Sequence, residues 1–229
     1  MMVAYTPTIG CHMGKSEETR RKISEIALAS FRERGYEQTT LRLIASEAGI
    51  SVGNAYYYFP TKNHLVQELY LQVQTTHLET AEKAMEGVTD IAKRLETAML
   101  AGLDAISGYH DSAPGFLAAA IAPTSAVSPF GVDAAGPREL SRQVFREVVE
   151  GSTTTIPTDL ARQLPELLWL AYMGLALFWV YDNSPGQKRS RRLVQRSSKL
   201  FGSLLPLTRL PFLRGPINEA LDIVAEARS

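Results

Sequence analysis

The stretch that decides the fold runs from Thr39 to Lys62 and reads TTLRLIASEAGISVGNAYYYFPTK. Thr39 or Thr40 can cap a helix whose apolar stripe is Leu41, Ile44, Ala45 and Ala48. Gly49 stops that helix, because glycine enters the left-handed backbone conformation of a tight turn without steric cost. Ser51 can cap a second, very short helix from Val52 to Phe59, and Pro60 ends it, since the residue before a proline avoids helical geometry. Two helices across a three-residue turn make a helix-turn-helix: the first braces the second, and the second lies in the DNA major groove. Ala45 is small where the two cross, and Ile50 can fill the space between them.

At about 100° per residue, Val52, Ala55 and Phe59 gather on the core side of the short helix. Gly53, Asn54 and Tyr57 lie opposite and are expected to face DNA. Glycine lets the backbone approach closely. Asn54 can pair with an adenine edge or contact a phosphate. The hydroxyls of Tyr56 and Tyr58 can reach phosphate oxygens from the flanks. Lys62, at the start of the next helix, is expected to bind a backbone phosphate together with the free N–H groups there. Thr40, Arg42 and Ser51 complete the expected DNA-binding set. Spacing alone also fits an ordinary amphipathic helix pair with three packed tyrosines.

Outward from this stretch the chain reads as helices. Ser16 can cap the first, Glu17 and Glu18 suit its dipole, and Ile23, Ile26, Ala27, Ser30 and Phe31 form its buried face up to a stop at Gly35. Thr61 can cap a helix carrying Leu65, Leu69 and Val73 as far as Met85. Further helices are expected over 90–109, 116–122, 137–150, 159–181, 188–205 and near 217–227, with a loop over 123–136. Pro165 either kinks its helix or marks the first turn. No alternating strand pattern with hairpin turns occurs, so the fold class is all-α. Residues 1–15 are expected as a disordered tail, 16–65 as a three-helix helix-turn-helix domain, and 66–229 as a larger helical ligand-binding and dimerisation domain.

Composition is less directive. The 229 residues carry 24 basic and 24 acidic side chains, so no overall basic footprint marks a nucleic-acid protein. Residues 15–62 hold eight basic and six acidic residues, a local excess of only two. The single cysteine, Cys11, makes no intramolecular disulfide and fits a cytoplasmic setting. Among His12, His64, His77 and His110, no pair has metal-ligand spacing. The absence of a nucleophile elbow or phosphate-cradling loop leaves no support for an enzyme. The apolar run Leu167–Val180 falls short of the ~20 residues of a membrane span. It reads as a buried helix, with a membrane-associated scaffold as the rival.

The run resembles the N-terminal domain of the TetR family of bacterial regulators. The resemblance rests on Phe31, Gly35-Tyr36, Thr39-Thr40, Ile44-Ala45, Ala48-Gly49-Ile50-Ser51, Tyr56, Tyr58-Phe59, Lys62 and Leu65. It spans residues 17–65 and departs from the family pattern at Ala55, where a larger aliphatic residue is usual. It implies a homodimer on a pseudo-palindromic double-stranded operator, released by a small-molecule effector. Expected pocket residues, suited to a hydrophobic or aromatic effector, are Tyr109, His110, Phe116, Trp169, Tyr172, Met173 and Trp179. Expected seam residues are Leu168, Leu175, Leu193, Leu200, Phe201 and Leu204. The basic run Lys188, Arg189, Arg191, Arg192, Arg196 and Lys199 reads as the solvated face of the seam helix rather than a second nucleic-acid patch. No metal or cofactor is expected.

Overall fold

A computed structural model describes residues 14–121 and 125–210, with Phe212, Gly215 and Glu219 beyond them. Helix α1 runs Lys15–Gln38, α2 Leu41–Ala48, α3 Val52–Tyr58 and α4 Lys62–Met85. Then come α5 Ile91–Ile106, α6 Ala113–Ala120, α7 Ala135–Glu150, α8 Thr158–Val180 and α9 Lys188–Leu204. Short 3₁₀ turns cover Ser107–Ser112, Val132–Ala134, Pro185–Gln187 and Leu205–Arg209. No strand occurs among the described residues, as the sequence predicts. Most of the expected tail, the loop residues Pro123 and Thr124, and nearly all of the helix expected near 217–227 lie outside the described residues.

Local signals set most boundaries. Thr40 accepts the N–H of Leu43, Ser51 that of Asn54 and Asp90 that of Lys93, so each begins its helix as a cap. Gly49 is left-handed (φ 68°, ψ 33°) and closes α2. Three expectations shift. Ser16 lies inside α1, one residue after its start, and its hydroxyl meets the Tyr58 hydroxyl at 3.3 Å instead of capping. Gly35 takes a positive φ of 78°, but helical geometry resumes as far as Gln38. Thr61 bonds the His64 ring at 2.9 Å and caps nothing with its side chain. Pro165 sits well inside α8, past its first turn.

Two apolar cores form. The N-terminal core joins Ile23, Phe31, Ile44, Ala55, Phe59, Leu65 and Leu69. It also draws in Val127, only 3% exposed, with Tyr109 and Phe116 packed against it. Phe116 meets Phe31 edge-on at 5.3 Å. The Tyr70 hydroxyl donates to the Val127 carbonyl at 2.9 Å, and the Gln67 amide to that of Ala126 at 3.1 Å. The segment before α7 is thereby strapped onto α4.

The larger core is built by α4, α5, α7, α8 and α9. Arg94, buried in α5, spends its guanidinium on four carbonyls: Met85 and Val88 at the end of α4, Glu147 and Val148 at the end of α7. A cation at two helix C-termini satisfies carbonyls that lack intrahelical partners and opposes both dipoles. Asp182 organises the α8–α9 corner by accepting from the backbone and hydroxyl of both Ser184 and Ser190. Burial alone would raise its pKa, yet these bonds hold the carboxyl well below the usual carboxylate range. Helix α9 packs closely on α5 through Ser190, Val194 and Ser198, all buried, and through Gly202 against Ala92.

Candidate nucleic-acid interface

Helix α3 is seated by its apolar side. Ala55 and Phe59 are fully buried in the N-terminal core, and the Ile50 N–H donates to the Ala45 carbonyl across the turn. A larger aliphatic side chain at 55 would stand α3 off its neighbours; alanine lets it seat close. Val52, expected on the core side, is instead 37% exposed. The opposite side presents Gly53, Asn54, Tyr56 and Tyr57 to solvent, and Tyr57 is 77% exposed. Tyr58 is half-buried and meets Tyr57 edge-on at 5.2 Å. Thr40, Arg42 and Ser51 are exposed. Seven of the nine expected DNA-binding residues are thus exposed around α2 and α3, and Tyr58 and Lys62 are partly accessible.

Lys62 is the correction. Its ammonium donates to the Tyr36 carbonyl at 2.9 Å and lies 3.8 Å over the Tyr36 ring. Partial burial lowers its pKa, with Glu37 pulling the other way. A cation held by a carbonyl and a ring face ties the end of α1 to the start of α4, and is not free to track phosphate as expected.

The seven expected pocket residues do not converge. Tyr109 and Phe116 pack against the N-terminal core, with Arg32 over the Tyr109 ring. His110 contacts the Trp179 carbonyl at 3.1 Å and its ring edge-on. Tyr172 is buried beside His77, Phe145 and Gly102. Trp169 lies more than two helical turns from Trp179 along α8, covered by Phe130 and Arg142. Met173 is half-buried at the rim of the larger core. Surface depressions of about 460 and 520 Å³ lie elsewhere, at Arg94 with Glu82 and at Arg20 with Glu68. Trp169, Tyr172 and Trp179 are core because α8 turns one face inward.

That same rotation corrects the seam. Leu168 and Leu175 point into the protomer's own core, along with Leu164, Tyr172 and Trp179. The outward face of α8 carries Leu177 and Phe178, with Tyr181 just past its end, all exposed and none foreseen from the sequence. Their three- and four-residue spacing was visible, but an all-apolar helix does not say which side turns out. On α9, Leu193, Leu200 and Leu204 are exposed and Phe201 is half-buried. Arg191 pairs with Asp104 at 2.5 Å, while Lys188, Arg189, Arg192, Arg196 and Lys199 are solvated. No group of three potential metal ligands occurs among the described residues.

Residues 23–69 match the family model described as bacterial regulatory proteins, tetR family, and residues 94–226 match the tetracyclin repressor-like C-terminal domain. An uncharacterized HTH-type transcriptional regulator of Mycobacterium tuberculosis is 41% identical over 59 residues, covering 26% of this chain and 28% of its own length. The HTH-type transcriptional repressor KstR2 of the same organism is 31% identical over 97 residues, 42% of this chain and 48% of its own. These relatives are therefore matched over less than half their length. The crystal structure of a TetR transcriptional regulator from Nitrosomonas europaea superposes with a TM-score of 0.59 at 18% identity, covering 79% of this chain and 96% of that one.

Proposed function

The chain belongs to the TetR family of bacterial regulators, and from that premise we propose that it is a cytoplasmic, ligand-responsive repressor that grips a pseudo-palindromic operator as a homodimer and lets go when a small molecule binds. Residues 16–65 are the reading head, and 66–229 the effector and dimerisation domain. Each head places α3 in a major groove, and the two heads must stand about one helical turn, ~34–36 Å, apart. An effector acts through its differential affinity for the gripping and released states.

The observation that carries this reading is the contrast on α3. Ala55 and Phe59 are locked in the core, while Gly53, Asn54 and Tyr57 stand free on the other side. A short helix held so firmly by one side is a rigid platform for the other. Tyr57 and Asn54 address base edges; Thr40, Ser51, Tyr56 and Tyr58 address the sugar-phosphate backbone, and Lys62 holds the platform through Tyr36. The dimer seam joins α8 and α9 through Leu177, Phe178, Leu193, Leu200 and Leu204.

Helix α8 is the one described helix long and apolar enough to cross a membrane, and a third of its most apolar window is buried within the protomer. The seam accounts for its remaining apolar surface. The effector proposed is hydrophobic or aromatic.

Selection of bound fragments from the source genome would identify the operator. With it, Tyr57→Ala and Asn54→Ala should each weaken binding about tenfold or more, on the scale of one lost base contact, while sedimentation still shows a dimer. Unchanged affinity of both variants would remove α3 from the interface.

A further inference from the structure

Every cation of the reading head can be accounted for, and few are left for DNA. Of the eight basic residues in 15–62, Arg20 pairs with Glu68 and lies 4.9 Å over the Phe59 ring. Arg21 pairs with Glu25 at 2.6 Å, and Arg34 with Glu47 at 2.7 Å. Lys22 donates to the Ala48 carbonyl at 2.8 Å, where it closes the end of α2. Arg32 stacks on Tyr109, and Lys62 is held by Tyr36. Among the described residues of the head, 15–62, only Lys15 and Arg42 are exposed cations with neither an ion pair nor a hydrogen bond nor a ring contact. Residues 1–14 contain no lysine or arginine to add to them.

The exposed surface offers neutral donors instead. Thr40 and Ser51 use their hydroxyl oxygens as caps, accepting the N–H of Leu43 and of Asn54. A hydroxyl that accepts still has its own hydrogen to give, and both side chains are exposed. Tyr56 and Tyr57 add two exposed phenols.

Resting on the operator-binding reading above, we propose that this head holds operator phosphates mainly through the neutral hydroxyls of Thr40, Ser51 and Tyr56, with Arg42 as its principal cation. Three of the engaged cations keep a carboxylate beside them, so a phosphate drawn toward Arg20, Arg21 or Arg34 also meets Glu68, Glu25 or Glu47. Binding then releases few counterions. Non-specific DNA affinity is almost wholly electrostatic, so the head discriminates operator from bulk DNA by holding bulk DNA weakly.

The test is the slope of log affinity against log potassium chloride for the full-length dimer on its selected operator, with an unrelated duplex alongside. Each neutralised phosphate contributes about −0.9. Arg42 and Lys15 from two protomers predict about −3.5, whereas engagement of all eight head cations from each would give about −14. A slope shallower than about −5 supports the proposal and a steeper one overturns it. Arg42→Gln should make the slope shallower by about 2, Arg42→Lys should restore it, and Lys62→Gln should leave it unchanged. An Arg42→Gln slope equal to the parent's also overturns it, and circular dichroism confirms that each variant folds. If no genomic fragment binds at any salt concentration, the operator-binding reading itself falls, and this proposal with it.

Discussion

His77 shows how much one side chain's surroundings decide. It lies fully buried in α4, with its Nε2 2.9 Å from the Ala98 carbonyl and its ring among Tyr172 and Phe145. A carbonyl only accepts, so Nε2 carries the proton of the neutral ring. Burial pushes its pKa down to about 4, against the raising effect of the Ala98 bond. The unfolded chain, with an ordinary histidine near 6.5, binds the proton more readily. The stabilising contribution is therefore complete above about pH 6.5 and is lost as pH falls toward about 4. Between pH 7 and 5 the loss is about 2 kcal/mol. His77→Gln keeps a donor for Ala98 and removes the titration. Urea unfolding at both pH values should show the variant losing about 2 kcal/mol less than the parent; equal losses would reject the assignment. Nothing in the sequence marked His77, since the Ala98 carbonyl and the rings of Phe145 and Tyr172 that enclose it are 21 or more residues away. Lys62 was misread for the same reason. Its position at a helix start is local, but the Tyr36 carbonyl that claims it is 26 residues back. By contrast, the caps Thr40 and Ser51 and the left-handed Gly49 act on atoms within five residues, and these were legible.

Among the helices, α2 to α4 could be delimited to a residue because each carries its own start and stop. The faces of α8 could not be. A helix apolar all round gives no direction to its inward side, and the neighbours that choose it, α7 and α9, lie in separate parts of the sequence. Helix α9 was easier, since leucines and cations crowd its outer side and Ser190, Val194, Ser198 and Gly202 are left to face α5. Gly202 permits the contact: a Cβ there would come within 2.6 Å of the Ala92 Cβ. Both atoms belong to rigid helix positions, so the helices must separate. Gly202→Ala should destabilise the protein by about 1–2 kcal/mol, overpacking outweighing the gain of ~1 kcal/mol in helix propensity. Chemical denaturation measures it, and a more stable variant would show that α9 slides freely on α5.

In the molecule as a whole, the proposed dimer would let the two leucine sets on α8 and α9 separate protomer stability from dimer formation. Leu200 is 59% exposed in the isolated protomer, whereas Leu175 is buried in its core. Leu200→Glu should leave helicity intact and shift sedimentation to the monomer; Leu175→Glu should unfold the chain, since an unpaired charge is buried. A Leu200→Glu protein that remains dimeric would move the seam elsewhere. The general plan, a small helical head on a larger helical body, was readable from the motif outward. The number of places where the two touch was not, because segments far apart in sequence supply the contacts.

The strap of residues 125–131 gives those contacts a practical meaning for protein engineering. Val127 sits among the head's own core residues, and Tyr70 and Gln67 grip the backbone beside it. Reading heads are natural units to exchange when a known effector response is to be wired to a new promoter. Here a splice after residue 65 would carry away one side of a packed interior and leave its plug behind on the recipient. A transplantable unit must include 107–131 together with 15–70, or redesign both halves of the join. Modularity in this chain follows the packing, not the order of residues.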